Sequence, residues 1–297
     1  MNRSPLRYPG GKSNITPLIK AIILQKAPLS ANGFTYIEPF AGGAGVAINL
    51  LLEGIVTNIV INDYDKAIYS FWRALKEETD ALIEMIDITP VTVQEWYRQR
   101  EIYLLHNRRY SLELGFAAFF LNRTNRSGIL NAGPIGGYEQ SGSYQIDARY
   151  NKESLINRII EIAQYKKNML VYNKEIRNFI PQIMPNYGRN AFVYFDPPYF
   201  AKGKRLYKNF LVYEDHVEIA RFINQSVPCD WLLTYDDAPQ IHEIYSQYDY
   251  TTMKYSLNYS VANKGRGTEL IIFKNPRLLP EIPANDTTLK QLEISSF

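Results

Sequence analysis

Short apolar runs that stop abruptly at polar, glycine or proline residues recur along the chain and set its grammar. Phe34–Glu38, Asn58–Asn62, Asn168–Tyr172, Ala191–Phe195 and Trp231–Tyr235 read as short strands, several of them apolar almost throughout, as strands buried on both faces are. Helical spacing covers Ile15–Gln25 and Val46–Glu53, the second closed by Gly54, a natural helix stop. The first strand, a glycine-rich turn, the second helix and the strand Asn58–Asn62 form the repeating unit of a parallel α/β sheet.

The strand rhythm then lapses. Lys66–Asp87 and Val93–Arg108 have the pattern of long charged helices, and Leu112–Arg123 that of a more apolar one. Residues 124–150, "TNRSGILNAGPIGGYEQSGSYQIDARY", form a polar Gly/Asn/Ser-rich stretch, and a loop of that length inside a compact domain is uncommon and often functional. After a helix over Lys152–Gln164 the strands return. They end with Tyr250–Ser260 and Glu269–Lys274, joined by "VANKGRG" as a hairpin. The expected architecture is α/β: a mostly parallel sheet closed by an antiparallel hairpin, with residues 1–64 and 165–297 as one domain and 65–164 as a mainly helical insertion.

Composition narrows the classes. Hydrophobic residues are 46% and charged residues 21% of the 297, which is ordinary for a folded globular chain. No apolar run reaches the about 18 residues of a membrane span, and "MNRSPLRYPGGKSN" has no apolar signal core, so a cytoplasmic protein without a membrane partner is expected. Cys229 is the single cysteine and reads as a buried core thiol; with only His106, His216 and His242 besides, no metal site is expected. The net charge of +3 matters less than its distribution. Residues 1–37 carry Arg3, Arg7, Lys12, Lys20 and Lys26 with no acid, and Arg98, Arg100, Arg108, Arg109, Arg123 and Arg126 share one segment. Basic clusters beside Tyr and Asn suit either a polyanion-binding surface or solvated helix faces.

Three motifs carry chemistry. In "YIEPFAGGAG", Tyr36–Gly45, glycines after a strand allow a ligand close to backbone N–H groups. The run lacks both the dinucleotide G-x-G-x-x-G spacing and the Lys-Ser/Thr ending of a phosphate loop, and Glu38 would repel a polyphosphate and attract an ammonium. Asp63, ending "IVIND", is placed to accept both hydroxyls of a ribose, or else to cap the helix that follows. An adenosine-bearing cofactor with a cationic amine and no pyrophosphate fits these features, and S-adenosyl-L-methionine is one. The third motif is "FVYFDPPYF", Phe192–Phe200, in which a buried strand delivers Asp196, Pro197, Pro198 and Tyr199 rigidly at its exit. Asp196 and the Pro197 carbonyl could each accept one proton of an exocyclic amino group, localising the nitrogen lone pair. Tyr199 would stack on a base taken out of the duplex, so Tyr199→Phe should be tolerated.

"DPPY", "EPFAGGAG" and the early "YPGGK", in that order, resemble the D12 class of adenine-specific DNA methyltransferases, the Dam family. "NKGRGTELIIF" is similar to the family's closing hairpin, and the resemblance spans nearly the whole chain. It implies a Rossmann-like methyltransferase fold with an inserted target-recognition domain, and methyl transfer from S-adenosylmethionine to adenine N6 in double-stranded DNA. It assigns Tyr8, Lys12, Glu38, Phe40, Gly42, Asp63 and Asp196 to the cofactor, with Lys12 and Glu38 at its amino-acid end, and Asp196, Pro197 and Tyr199 to catalysis. It assigns Arg7, Asn122, Arg123, Arg126, Ile129, Asn131 and Arg266 to DNA, with Arg123 on a phosphate and Arg126, Ile129 and Asn131 facing bases. Tyr8-Pro9 stands where members often have Trp-Ala. Asn131 stands where GATC readers carry arginine; asparagine suits adenine, so GATC is not assigned. A cognate restriction endonuclease is a candidate partner. An N4-cytosine enzyme, a non-catalytic DNA-binding regulator and a nicotinamide oxidoreductase are the competing functions.

Overall fold

The computed structural model describes residues 3–7, 15–26, 33–106, 109–200, 211–258 and 266–278. Its seven strands are β1 (Thr35–Glu38), β2 (Asn58–Asn62), β3 (Met169–Tyr172), β4 (Ala191–Phe195), β5 (Asp230–Asp236), β6 (Thr251–Asn258) and β7 (Arg266–Phe273). They run in the order β3-β2-β1-β4-β5-β7-β6. The mostly parallel sheet with an antiparallel hairpin at one edge is as expected; its order is doubly wound and reverses beside β1, and such sheets place their ligands at that reversal, outside the strands' carboxyl ends.

The chain divides into two compact units. The first comprises Met1–Asn14, Ala41–Gly54 and Asn58–Asn173. Here β2 and β3 pair in parallel, Ile59 opposite Met169 through Asn62 opposite Tyr172. Helix α2 (Gly45–Leu52) is apolar and buried nearly all round. The single long helix expected over Lys66–Asp87 is two, α3 (Lys66–Glu77) and α4 (Thr79–Ile88), parted at Glu78, whose φ/ψ of −132°/42° is not helical. Helix α5 (Val93–Leu105) stops short of the expected Arg108, which lies outside the described residues. Ser111 caps α6 (Leu112–Thr124) by accepting the Leu114 N–H, and Asn151 caps α7 (Lys152–Ala163) through Ser154. Between α6 and α7 the expected irregular segment has one β-bridge, Asn125 with Pro134, and a 3₁₀ turn over Arg126–Gly128.

The second unit comprises Ile15–Phe40, Ile55–Thr57 and Lys174–Phe297. In it β1 and β5 flank β4 in parallel, and β7 pairs antiparallel with both β5 and β6. Every residue of β4 is buried, as its apolar run requires. Strand β7 begins at Arg266, three residues before the expected Glu269, and "VANKGRG" falls mostly outside the described residues. Besides α1 (Thr16–Lys26), this unit contains α8 (Ile176–Ile183), α9 (Tyr213–Ser226) and α10 (Pro239–Tyr245), none of which the apolar pattern announces. Helix α8 holds Pro181 inside it, and α10 spans only 7 residues. Among the described residues no helix is long and apolar enough to cross a membrane, and no group of His, Cys, Asp and Glu could hold a metal. Cys229 is buried, with its thiol pushed up to about 11 by desolvation.

Candidate active site

In the first unit the site is built on the exit of β2. The Asp63 N–H donates to the Tyr172 carbonyl at 3.2 Å, and the Asn173 amide donates to the carbonyls of Asp63 and Tyr64. The carboxylate accepts two backbone N–H groups, Gly42 on Oδ2 and Asp65 on Oδ1, both at 2.8 Å. Capping of α3 falls to Asp65, whose Oδ1 accepts the Ala67 N–H, which removes the competing role considered for Asp63. Burial and the neighbouring Asp65 charge push the Asp63 carboxyl up to about 7, against the pull of its two backbone bonds. Each oxygen has two lone pairs and spends one on an N–H, so an acceptor remains on each for a pair of adjacent hydroxyls. This pair of acceptors fits the hydroxyls of a ribose.

The glycine turn is held from three sides. The Ala41 N–H donates to the Asn62 carbonyl at 2.9 Å, the Trp72 indole N–H to the Gly42 carbonyl at 2.9 Å, and the Ser4 hydroxyl to the Gly43 carbonyl at 2.5 Å. Gly42 has φ of 47°, so a side chain there would strain the turn that aims its N–H at Asp63.

In the second unit Glu38 leaves β1 and Asp196 leaves β4, adjacent parallel strands with Ile37 opposite Val193. Glu38 is 5% exposed, Phe40 half-buried, Pro197 buried and Asp196 part-exposed. The Thr234 hydroxyl donates to Asp196 Oδ1 at 2.9 Å and stands 2.9 Å from the Tyr194 hydroxyl. The Phe200 N–H donates to Asp236 Oδ1 at 2.9 Å, and the Tyr199 hydroxyl donates to Glu269 Oε1 at 2.5 Å. The Tyr194 phenol is pushed well above its ordinary value by burial, then by the charges of Asp196, Glu269 and Glu38. Three acidic side chains, Asp196, Glu269 and Glu38, thus act on this one phenol, a grouping that favours positive charge nearby. Behind it His216 is buried, with Nδ1 2.9 Å from the Tyr235 hydroxyl, and burial drops its pKa to about 4, which keeps the ring neutral.

The residues expected at DNA divide into two kinds. Asn122 is 1% exposed: its Oδ1 accepts the Arg7 N–H at 2.6 Å, and its Nδ2 donates to the carbonyls of Arg7 (2.6 Å) and Gly128 (2.9 Å). It clamps two backbone segments and presents no group to a ligand. Arg7 donates from Nη1 to the Asn125 carbonyl, and the half-buried Arg123 donates from Nε to the Arg149 carbonyl. Burial, then the charges of Arg7 and Arg158, lower the Arg123 guanidinium to about 10. Arg126 and Asn131 are exposed and Ile129 half-buried. The backbone of Arg266 lies in β7 opposite Asn258. Tyr8 and Lys12 lie outside the described residues.

Sequence reasoning passed over Asn125, buried and central to this segment. Its Oδ1 accepts the Trp96 indole N–H at 2.6 Å, and its Nδ2 donates to the carbonyls of Ile129 and Leu130 at 2.8 and 2.9 Å. Thr234, Asp236 and Glu269 were likewise missed. Three polar residues in otherwise apolar strands, in "WLLTYD" and "TELIIF", were the available signal.

A family model for the D12 class N6 adenine-specific DNA methyltransferases matches residues 8–259. The chain belongs to that class. Among curated proteins, this D12-class enzyme is 25% identical to the type II methyltransferase M.MjaIII of Methanocaldococcus jannaschii over 234 residues, 73% of this chain and 78% of the relative. It is 22% identical to the type II methyltransferase M1.LlaDCHI of Lactococcus lactis subsp. cremoris over 290 residues, 90% and 93% of the two chains. Among solved structures, the rRNA methyltransferase aviRa from Streptomyces viridochromogenes covers 88% of this chain and 84% of its own, at 12% identity and a TM-score of 0.35, a likeness too slight to build on. The D12-class enzyme uses S-adenosylmethionine and methylates adenine N6 in DNA.

Proposed function

We propose that Asp196 and the Pro197 carbonyl accept the two protons of the target adenine's N6 amino group, drawing its lone pair out of the ring. Support comes from the placing of Asp196: part-exposed at the end of β4, with Oδ1 accepting the Thr234 hydroxyl, in a region where the charges of Glu269 and Glu38 join its own around Tyr194, as suits a developing cation. S-adenosylmethionine, when bound, supplies a methyl group carried on a sulfonium. Asp63 takes the ribose, Gly42 and Phe40 line the turn beside it, and Glu38 with Lys12 and Tyr8 holds the amino-acid end. Tyr199 packs against an adenine extruded from the duplex, and Asp196 or water receives the proton that the methylated nitrogen sheds.

In the same reading residues 65–164 recognise the target and residues 1–64 and 165–297 carry out transfer. Arg123 and Arg7 approach phosphates, Arg126, Ile129 and Asn131 face bases, and Arg266 joins the DNA contacts from the hairpin; Asn122 acts through Arg7. The type II names of both curated relatives support a place beside a restriction endonuclease.

The test is radiolabelled methyl transfer to mixed-sequence DNA followed by nucleoside digestion. N6-methyladenine from the wild type and none from Asp196→Ala are expected. N4-methylcytosine as the product, or an active Asp196→Ala, would overturn the assignment.

A further inference from the structure

If the ring face were all that Tyr199 contributed, phenylalanine would serve in its place. Yet its hydroxyl is buried with the rest of the side chain, 8% exposed, and donates at 2.5 Å to Glu269, a carboxylate only 1% exposed. Burying a carboxylate is costly unless it is well partnered. Its place in the sheet gives the reason. Glu269 of β7 stands directly opposite Asp236 of β5, and Thr234 is two residues before Asp236, so all three project from one face. From that face Thr234 holds the Asp196 carboxylate, Asp236 holds the Phe200 N–H and Glu269 holds the Tyr199 hydroxyl. Three groups of the motif, on Asp196, Tyr199 and Phe200, are thus tied to two paired strands.

We propose that Glu269 is a positioning residue for methyl transfer: by accepting the Tyr199 hydroxyl it fixes the plane of the ring against which the adenine packs. The inference rests on the role of Tyr199 given above, and it reverses the expectation that Tyr199→Phe is tolerated.

The experiment measures kcat, KM for DNA, the S-adenosylmethionine Kd and the thermal midpoint for Tyr199→Phe, Glu269→Ala, Glu269→Gln and the double variant Tyr199→Phe/Glu269→Ala. Tyr199→Phe and Glu269→Ala should each lower kcat roughly tenfold, the scale of one hydrogen bond to a charged group, with the cofactor Kd within about twofold of wild type. Glu269→Gln still offers a carbonyl acceptor and should keep kcat within about threefold. The double variant should be no slower than the slower single, because both changes remove one bond. Wild-type kcat in Tyr199→Phe would overturn the proposal, as would multiplying effects in the double variant or a lowered midpoint with kcat intact. Tyr199→Phe and Glu269→Gln are near-isosteric, which keeps the test decisive should Glu269→Ala fold poorly. An inactive Asp196→Ala beside a fully active Tyr199→Phe defeats the role of Glu269 alone, whereas an active Asp196→Ala defeats the parent reading.

Discussion

Replacing Thr234 by valine removes a single oxygen from the fully buried interior of β5 and keeps the shape and strand preference of the residue. Two bonds depend on that oxygen, 2.9 Å each: its donation to Asp196 Oδ1 and its contact with the Tyr194 hydroxyl. A hydrogen bond to a charged group contributes about 1.5–3 kcal/mol, and a buried hydroxyl left without a partner costs about 1–3 kcal/mol. The first loss bears on the reaction, because the Asp196 carboxylate loses a bond that orients it; at about 1.4 kcal/mol per decade it predicts a fall in kcat of roughly 10- to 100-fold. The second bears on folding and should appear as a lowered thermal midpoint. Thr234→Ser keeps the hydroxyl and should retain kcat within a few fold. In Tyr194→Phe/Thr234→Val both members of the buried pair become apolar, so part of the lost stability should return while kcat stays low. Steady-state methylation and calorimetric melting on the four proteins separate the two effects. Wild-type kcat in Thr234→Val, or equal damage in Thr234→Ser and Thr234→Val, would refute the reasoning.

Asp63 gives a pH signature. Its carboxyl sits up near 7 in the free protein, and two ribose hydroxyls donating to it would favour the ionised form. Cofactor binding at pH 6 should therefore release a proton, seen as buffer-dependent binding enthalpy, and affinity should weaken as pH falls below about 7; binding heats independent of buffer would remove Asp63 from the ribose. For the free protein the sign runs the other way: a raised carboxyl pKa contributes stability in full below the unfolded value of about 3.9 and loses it as pH rises towards about 7. Gly128 has φ of 75°, and a Cβ there would meet the Arg7 carbonyl at 2.8 Å, so Gly128→Ala should lower the melting midpoint and weaken DNA binding together; an unchanged melt would contradict this. Arg123→Ala should reduce the salt dependence of DNA binding by about one unit in the log–log slope, and an unchanged slope would take Arg123 off the phosphate backbone.

The sheet was legible because parallel strands covered on both faces must be apolar almost throughout, and β2, β4 and β5 announce themselves that way. Helices α8, α9 and α10 were not, since their apolar residues share short segments with Pro181, Pro239 or many charges and so never establish a clear period. At the site, Asp63, Asp196 and Tyr199 stood out because acids and aromatics at strand exits have few structural uses. Thr234, Asp236 and Glu269 escaped notice for a physical reason: each lies within or at the end of a strand, where one polar residue among apolar ones says that a partner exists but not which residue it is. Asn122 and Asn125 show why the segment around the end of α6 was harder to read. Asparagine suits both bases and main chain, and only the fold reveals that these two are spent on backbone groups and on Trp96.

The anchoring by Asn125 has an evolutionary corollary. Its side chain grips the carbonyls of Ile129 and Leu130, atoms that every amino acid possesses, while the side chains of Arg126 and Asn131 are exposed. Under the proposed reading, in which neighbouring side chains face the bases, shape and sequence preference are thereby uncoupled: descendants can exchange those side chains and acquire new target sites while the scaffold beneath stays intact. A change at Asn125 would instead cost the loop its form, whichever bases it had come to read.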